Sequence, residues 1–234
     1  MRGCLFVMLA GVAVLVAVVW FAGPPLAGAA VGVALTSGGL SADEMTVDVE
    51  SDPPLRLALG QADRVTVEAD DVNWNDIRAG RLQVELRDVD LIARTVRTAD
   101  GRLEGVQLEE AGEDGEPLLM GMTFSGPADE ALTAISIDRA TAERLAAAAF
   151  EAEIGTPPES VDLVVPDTIR FSSGGQSVIG RLEVTTAGEL QAVTPLGSVT
   201  LLESRGLPME LNDVSVGPVG IEVTGLLDVS SLLD

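Results

Sequence analysis

The chain has 234 residues, enough for one domain of about 200 residues behind a leader, and carries 14 arginines, no lysine, 37 acids and no histidine, a net charge of −23. A field of that sign repels phosphate backbones, so nucleic acid is not expected as a partner. Beyond the leader the only aromatic residues are Trp74, Phe124, Phe150 and Phe171, too few for base stacking or sugar platforms, and the one cysteine, Cys4, precedes the folded part, which has neither disulfide nor thiol chemistry.

Residues 1–23 form the leader. Cys4 to Ala22 is an unbroken run of 19 apolar or small residues, close to the roughly 20 that cross a bilayer as a helix. Trp20 and Phe21 fall at its end, at interface depth, and Gly23-Pro24-Pro25 stops it. The run exceeds the usual core of a secretory signal, which favours a retained transmembrane anchor over cleavage near Ala27-Gly28-Ala29. Cys4 sits before the apolar run rather than after it, against lipoprotein processing. Either way the domain lies in the cell envelope, outside the cytoplasmic membrane, attached to it by the leader or secreted if the leader is cleaved. Residues 24–43 are a short helix near Pro25 followed by a Gly- and Ser-rich linker, and residues 44–234 make one β-rich domain.

Within that domain, strict alternation marks half-buried strands. Met45, Val47 and Val49 share one face, then Leu55, Leu57 and Leu59, then Val65 and Val67, then Leu82, Val84 and Leu86. At Arg87-Asp88 the apolar phase slips to Val89 and Leu91, as a β-bulge would cause. "EEAGEDGEP" (residues 109–117) is an acidic hairpin turn, since its acids lack the spacing of a calcium loop. "LLMGMTFSG" resumes as a strand. "DRATAERLAAAAFEAE" is the one strong helix, with Asp138 as N-cap and Gly155 before Pro157-Pro158 as its stop. Its stripe of Ala142, Leu145, Ala146, Ala149 and Phe150 is either core packing or one wall of a ligand slot. Seven short strands follow, from "SVDLVV" to "GIEVTGLLDV", separated by turn signals. Leu82–Asp90 and Leu207–Ser215 share Leu, Glu, Leu, Asp and Val at equal offsets, a faint internal echo. The fold class is α+β: a strongly curved, mainly antiparallel sheet wrapped around one or two helices.

Chemistry finds little foothold. Without histidine there is no Ser-His-Asp or Cys-His arrangement and no zinc site of the usual kind. Without lysine there is no phosphate-binding loop of the G-x-x-x-x-G-K type, and no G-x-S-x-G elbow occurs. The carboxylates of "EADD" and "RDVD" fall on outward strand faces, with no aromatic platform for glycoside chemistry. The expectation is a non-enzymatic protein with no catalytic residue, no metal site and no cofactor. What remains is an apolar slot built from alternating aliphatic positions, in which each buried methylene contributes about 0.8 kcal/mol. Its expected lining is Leu82, Val84 and Leu86, then Met120, Met122 and Phe124, and on the helix Leu145, Ala149 and Phe150. With so acidic a surface, capture should depend on acyl burial and only weakly on headgroup charge. The competing reading is a structural or adhesive envelope domain whose core is fully packed. Oligomeric state, pathway and protein partners leave no signal.

The order of an apolar leader, "DPPLRLALGQADRVTVEADDV", "LQVELRDVDL", the strand-to-helix passage "TAISIDRATAERLAAAAF" and the terminal "GLPMELNDVSVGPVGIEVTG" resembles the LmeA-like phospholipid-binding proteins of bacterial cell envelopes. Pro53, Leu55 and Gly60, and Leu207, Pro208 and Val216, carry the most recognisable parts, and the resemblance extends over Pro25–Val229. It implies an envelope protein that binds phospholipid, with a fold akin to half of a tubular lipid-binding module and no catalytic residues. One departure is that the long helix expected after the leader is shortened to about Pro25–Leu35.

Overall fold

The computed structural model describes residues 40–74, 77–108, 118–202 and 209–232, together with 28, 29, 32, 33 and 36. The expected leader over 1–23 and the acidic turn over 109–117 lie outside the described residues. Among the described residues, no helix is long and apolar enough to cross a membrane.

The chain is mainly antiparallel β-sheet with few helices. Its strands are β1 (Leu40–Ser41), β2 (Glu44–Glu50), β3 (Gln61–Trp74), β4 (Ile77–Asp90), β5 (Thr98–Leu108), β6 (Leu118–Pro127) and β7 (Ala131–Asp138). The helix α1 (Arg139–Ile154) follows. Then come β8 (Ser160–Val164), β9 (Thr168–Ser173), β10 (Gln176–Val184), β11 (Leu190–Thr194), β12 (Gly197–Leu202), β13 (Met209–Val216) and β14 (Gly220–Leu227). A nine-stranded sheet runs β3-β4-β5-β6-β7-β14-β13, with β1 and β2 both paired to the outer edge of β3. A five-stranded meander, β12-β11-β10-β9-β8, forms a second sheet. The expected single sheet wrapped around a helix is therefore replaced by two sheets with α1 between them. The helix touches β6, β7 and β14 on one side and β8 and β12 on the other. The cause is the run of short strands after Pro158: turn signals every few residues favour a meander that closes on itself, and its alternate residues Leu163, Ile169, Leu182, Ala192 and Val199 give it a buried face of its own.

The helix has the expected ends. The Asp138 carboxylate accepts from the Thr141 N–H at 3.0 Å, and the Gly155 N–H, at φ 85°, donates to the Glu151 carbonyl at 2.7 Å. Arg139 fastens the first turn to both sheets, its guanidinium donating to the Leu163 carbonyl (3.0 Å) in β8 and to the Gly217 carbonyl (3.2 Å) after β13.

Two expectations along β2–β5 are corrected. "PLRLAL" is a 3-10 helix over Pro54–Leu59 and not a strand. Pro53 and Pro54 lack the N–H groups that a ladder needs, and Gly60 in the left-handed region ends the turn. Only Leu57 turns inward, while Leu55 and Leu59 are exposed. The phase slip at Asp88 occurs, with a positive φ of 52°, but the register with β3 is unbroken from Arg64↔Arg87 to Ala62↔Val89. Both strands change phase at the same step, so pairing survives and no bulge is required. A second shared step joins Ala69↔Leu82 to Val72↔Ala79, with Asp71 at φ 50°. At that level β5 also turns, at Gly105 with φ 64°, but β6 does not, and the register shifts between Leu103↔Met122 and Val106↔Met120. The bulge belongs to β5, where the partner keeps strict alternation.

Candidate functional site

Register places one apolar row across the large sheet. Val47 faces Val67, which faces Val84, then Gly101, then Phe124. The next row runs Met45, Ala69, Leu82, Leu103, Met122 and Ile135. A third links Val49, Val65, Leu86 and Ala99. Two helical segments lie on this face. α1 covers β6, β7 and β14, its Leu145, Ala146 and Phe150 buried in one cluster with Phe124, Ile135 and Ile137. At the other side, the described residues Gly28, Ala29, Gly32, Val33 and Thr36 are helical, with Gly28 against the Val47 backbone of β2 and Gly32 against the Met45 and Val47 side chains. From β2 to β7 there are five strand spacings, about 24 Å, of which one helix width is about 10 Å. Among the described residues, the strip between the helices is overlain in part by Leu57 of the 3-10 helix and by Val96, which pack in one cluster with Val84 and Leu86.

Those floor residues are half-buried where their neighbours are buried. Leu82, Val84, Leu86, Leu103, Met120 and Met122 all retain partial exposure, whereas Val65, Val67, Ile135 and Ile137 do not. Gly101, mid-strip, has no side chain; the Phe124 ring lies over it so closely that a Cβ there would collide with the ring. An open apolar recess of about 510 Å³ lies beside Ala29, Gly32, Val33 and Thr36.

Of the nine expected lining residues, Leu82, Val84, Leu86, Met120, Met122 and Phe124 share this face of the large sheet, while Leu145, Ala149 and Phe150 belong to α1. Val84, Leu86, Met120, Met122 and Ala149 pack as half-buried neighbours of the cluster that contains Phe124, Leu145 and Phe150, and Leu82 packs beside Ala69 and Val106. The helix part of the expected slot is nonetheless filled. Phe150 stacks on Phe171 of β9 with ring centroids 4.5 Å apart, and Leu145 is enclosed with it. α1 therefore contributes a packed wall, with Ala149 and Ile154 at its half-buried edge. Sequence reasoning missed Leu103, Gly101 and Val96. The bulge at Gly105 breaks the alternation of "GRLEGVQL", and Val96 lies in an irregular segment, so neither fits a strand template.

The opposite face is charged. Arg64 bridges Glu50 and Glu85, each at 3.3 Å, Arg87 meets Glu85 at 2.6 Å, Arg81 meets Asp70 at 3.7 Å and Arg102 meets Glu104 at 2.7 Å. Hydrogen bonding and charge from Glu85 push the Arg87 guanidinium pKa above its ordinary value. The arrangement is a solvated ion-pair lattice. Among the described residues no group of three or more acidic or sulfur side chains is placed to hold a metal ion. No protein-family model, curated protein or solved structure matches this chain.

Proposed function

We propose that this protein binds phospholipid acyl chains, without catalysing a reaction, on the apolar strip of its large sheet between α1 and the helical residues Gly28, Ala29, Gly32 and Val33. The observation that carries the reading is the incomplete burial of six contiguous aliphatic or thioether side chains, Leu82, Val84, Leu86, Leu103, Met120 and Met122, on the apolar face of the large sheet. Burying their remaining surface against methylenes would contribute about 25 cal/mol for each Å² removed from water, and two methionines make such a floor adaptable to chains of different length. The acidic exterior supports recognition by the acyl part: binding to zwitterionic vesicles should equal or exceed binding to anionic ones at low salt. The leader, read as an anchor, and the resemblance to the LmeA-like family support a cell-envelope location for this activity.

The test is photo-crosslinking of the full chain in phosphatidylcholine vesicles whose lipids carry a diazirine in the acyl chain. Adducts on peptides containing Leu82–Leu86, Leu103 and Met120–Met122 are expected. Adducts confined to residues 1–23 would overturn the reading. A second reading, a structural or adhesive envelope domain without ligand, draws on the filled interior between the two sheets, where Phe150, Phe171 and Ile169 are buried. The same experiment separates the two.

A further inference from the structure

At one end of the large sheet two turns meet. The 3-10 helix Pro54–Leu59 leads into β3, and residues 91–94 connect β4 to β5. The Leu91 N–H donates to the Gly60 carbonyl at 2.7 Å, and Ile92 lies directly over Gly60, which has φ 75° and no room for a Cβ. The joined turns hold four large aliphatic side chains outward: Leu55 is 54% exposed, Leu59 64%, Leu91 38% and Ile92 77%. Clustered exposure of this kind marks an interaction surface, whereas scattered single residues do not. The backbone does not require it, because the Asp90 carboxylate already accepts from the Ile92 and Ala93 N–H groups at 3.0 and 2.8 Å.

Charge and tethering identify the occupant. In a chain of net −23, residues 52–60 hold one acid and one arginine, and residues 88–97 two acids and two arginines, so both turn segments are neutral. Arg56 pairs with Asp63, and Arg97 with Asp88 at 3.4 Å. The described residues before β1 progress away from the paired turns, with Gly28 against Val47 and Gly32 against Met45 and Val47. Leu40 pairs with Trp74 at the far end of the sheet, while Gly28, twelve residues earlier, lies against Val47 of β2. Val47 is three residues, about 10 Å, from the end of β2 that faces the paired turns. The stretch from Gly23 to Gly28 spans at most about 18 Å. A leader held in the bilayer therefore keeps this end of the sheet at the membrane surface. Protein interfaces are enriched in aromatic side chains at their core, and this tip has only aliphatic ones.

We propose that the paired turns insert into the membrane that holds the leader, with Leu55, Leu59, Leu91 and Ile92 among the acyl chains and Arg56, Arg94 and Arg97 at headgroup depth. The insertion goes beyond acyl binding on the strip and does not depend on it. The test uses the full chain with Cys4→Ser and a single new cysteine, Leu59→Cys, Ile92→Cys or, as control on the outer face of β10, Ile179→Cys. Each is labelled with an environment-sensitive fluorophore and reconstituted in phosphatidylcholine vesicles with or without lipids bearing an acyl-chain nitroxide. Labels at 59 and 92 should emit at shorter wavelength and be quenched by the nitroxide, while the label at 179 does neither. Emission at 59 and 92 matching that at 179 would overturn the proposal. Quenching at the tip without photo-adducts on the strip would sink acyl binding alone, and the converse would sink insertion alone.

Discussion

The two halves of the large sheet are built from the same alternating aliphatic pattern, yet they end in different states. On the β6–β7–β14–β13 side, α1 and the second sheet complete the core, and Ile137, Ile221 and Val223 are closed off. On the β2–β5 side, coverage comes from the 3-10 helix and a few described helical residues, and the strip from Leu82 to Leu103 stays half-buried. Hydrophobic alternation thus defines which face is apolar; the number of elements available to lie on that face defines whether it closes. Stability should reside in the first half and ligand contact in the second.

The largest expected difference comes from comparing truncations in the two halves. Phe171→Ala removes a ring that is stacked on Phe150 and only 2% exposed, and should cost about 3–5 kcal/mol. Val84→Ala, in the half-buried strip, should cost about 1 kcal/mol or less. Urea unfolding of both variants measures this, and equal losses would abolish the distinction. The junction of the halves is next. Gly101→Ala forces the Phe124 ring off its seat and should cost about 1–3 kcal/mol. Adding Phe124→Leu should recover part of that loss, a coupling that a double-mutant cycle reads directly.

A smaller effect is expected at the helix that closes the first half. Hydrogen bonds from the Thr141 side chain, and then from the Thr141 and Ala140 N–H groups, hold the Asp138 carboxyl below its ordinary pKa, against an opposing desolvation. Because the folded value is the lower one, the cap's contribution is complete above the unfolded carboxylate pKa and disappears as pH falls through the folded one. Asp138→Ala should cost about 1 kcal/mol at neutral pH, and the gap to the parent protein should narrow in acid. A gap that stays constant from neutral to strongly acidic pH would remove the carboxylate from the account.

Much of this was legible in the chain. Asp138 and Gly155 announce both ends of α1, and the turn signals after Pro158 announce seven short strands, though not that five of them form a sheet of their own. The six expected residues of β4 and β6 share one face because alternation is a local property that register merely aligns, and helical spacing groups Leu145, Ala149 and Phe150 on α1. Three features were not legible. The pairing of a phase step in β4 with a matching step in β3 is a property of two strands at once, and either alone looks like a bulge. The leucines at 55, 57 and 59 alternate like a strand, and only the missing proline donors decide against one. Phe150 could face a ligand or Phe171 equally well until the second sheet is in place, since a small-residue stripe does not say what packs on it.

The smallest expected effect is on the charged face, and it sharpens the assignment of ligand contact to the apolar one. Arg64 lies between Glu50 and Glu85, but its side chain keeps 45% of its exposure, and ion pairs so wetted are worth little. Arg64→Ala should change stability by no more than about 0.5 kcal/mol, and salt should weaken even that. Acyl photo-labelling of the strip should be untouched by this variant, since Arg64 projects from the opposite side of β3 to Val65 and Val67. Val84→Asp, directly across the ladder on the apolar side, should abolish labelling while leaving the far-UV circular dichroism of the sheets in place. If Arg64→Ala lowered labelling as much as Val84→Asp, lipid would be held by its headgroup on the ion-pair lattice, and the apolar strip would be an incompletely closed core with no ligand of its own.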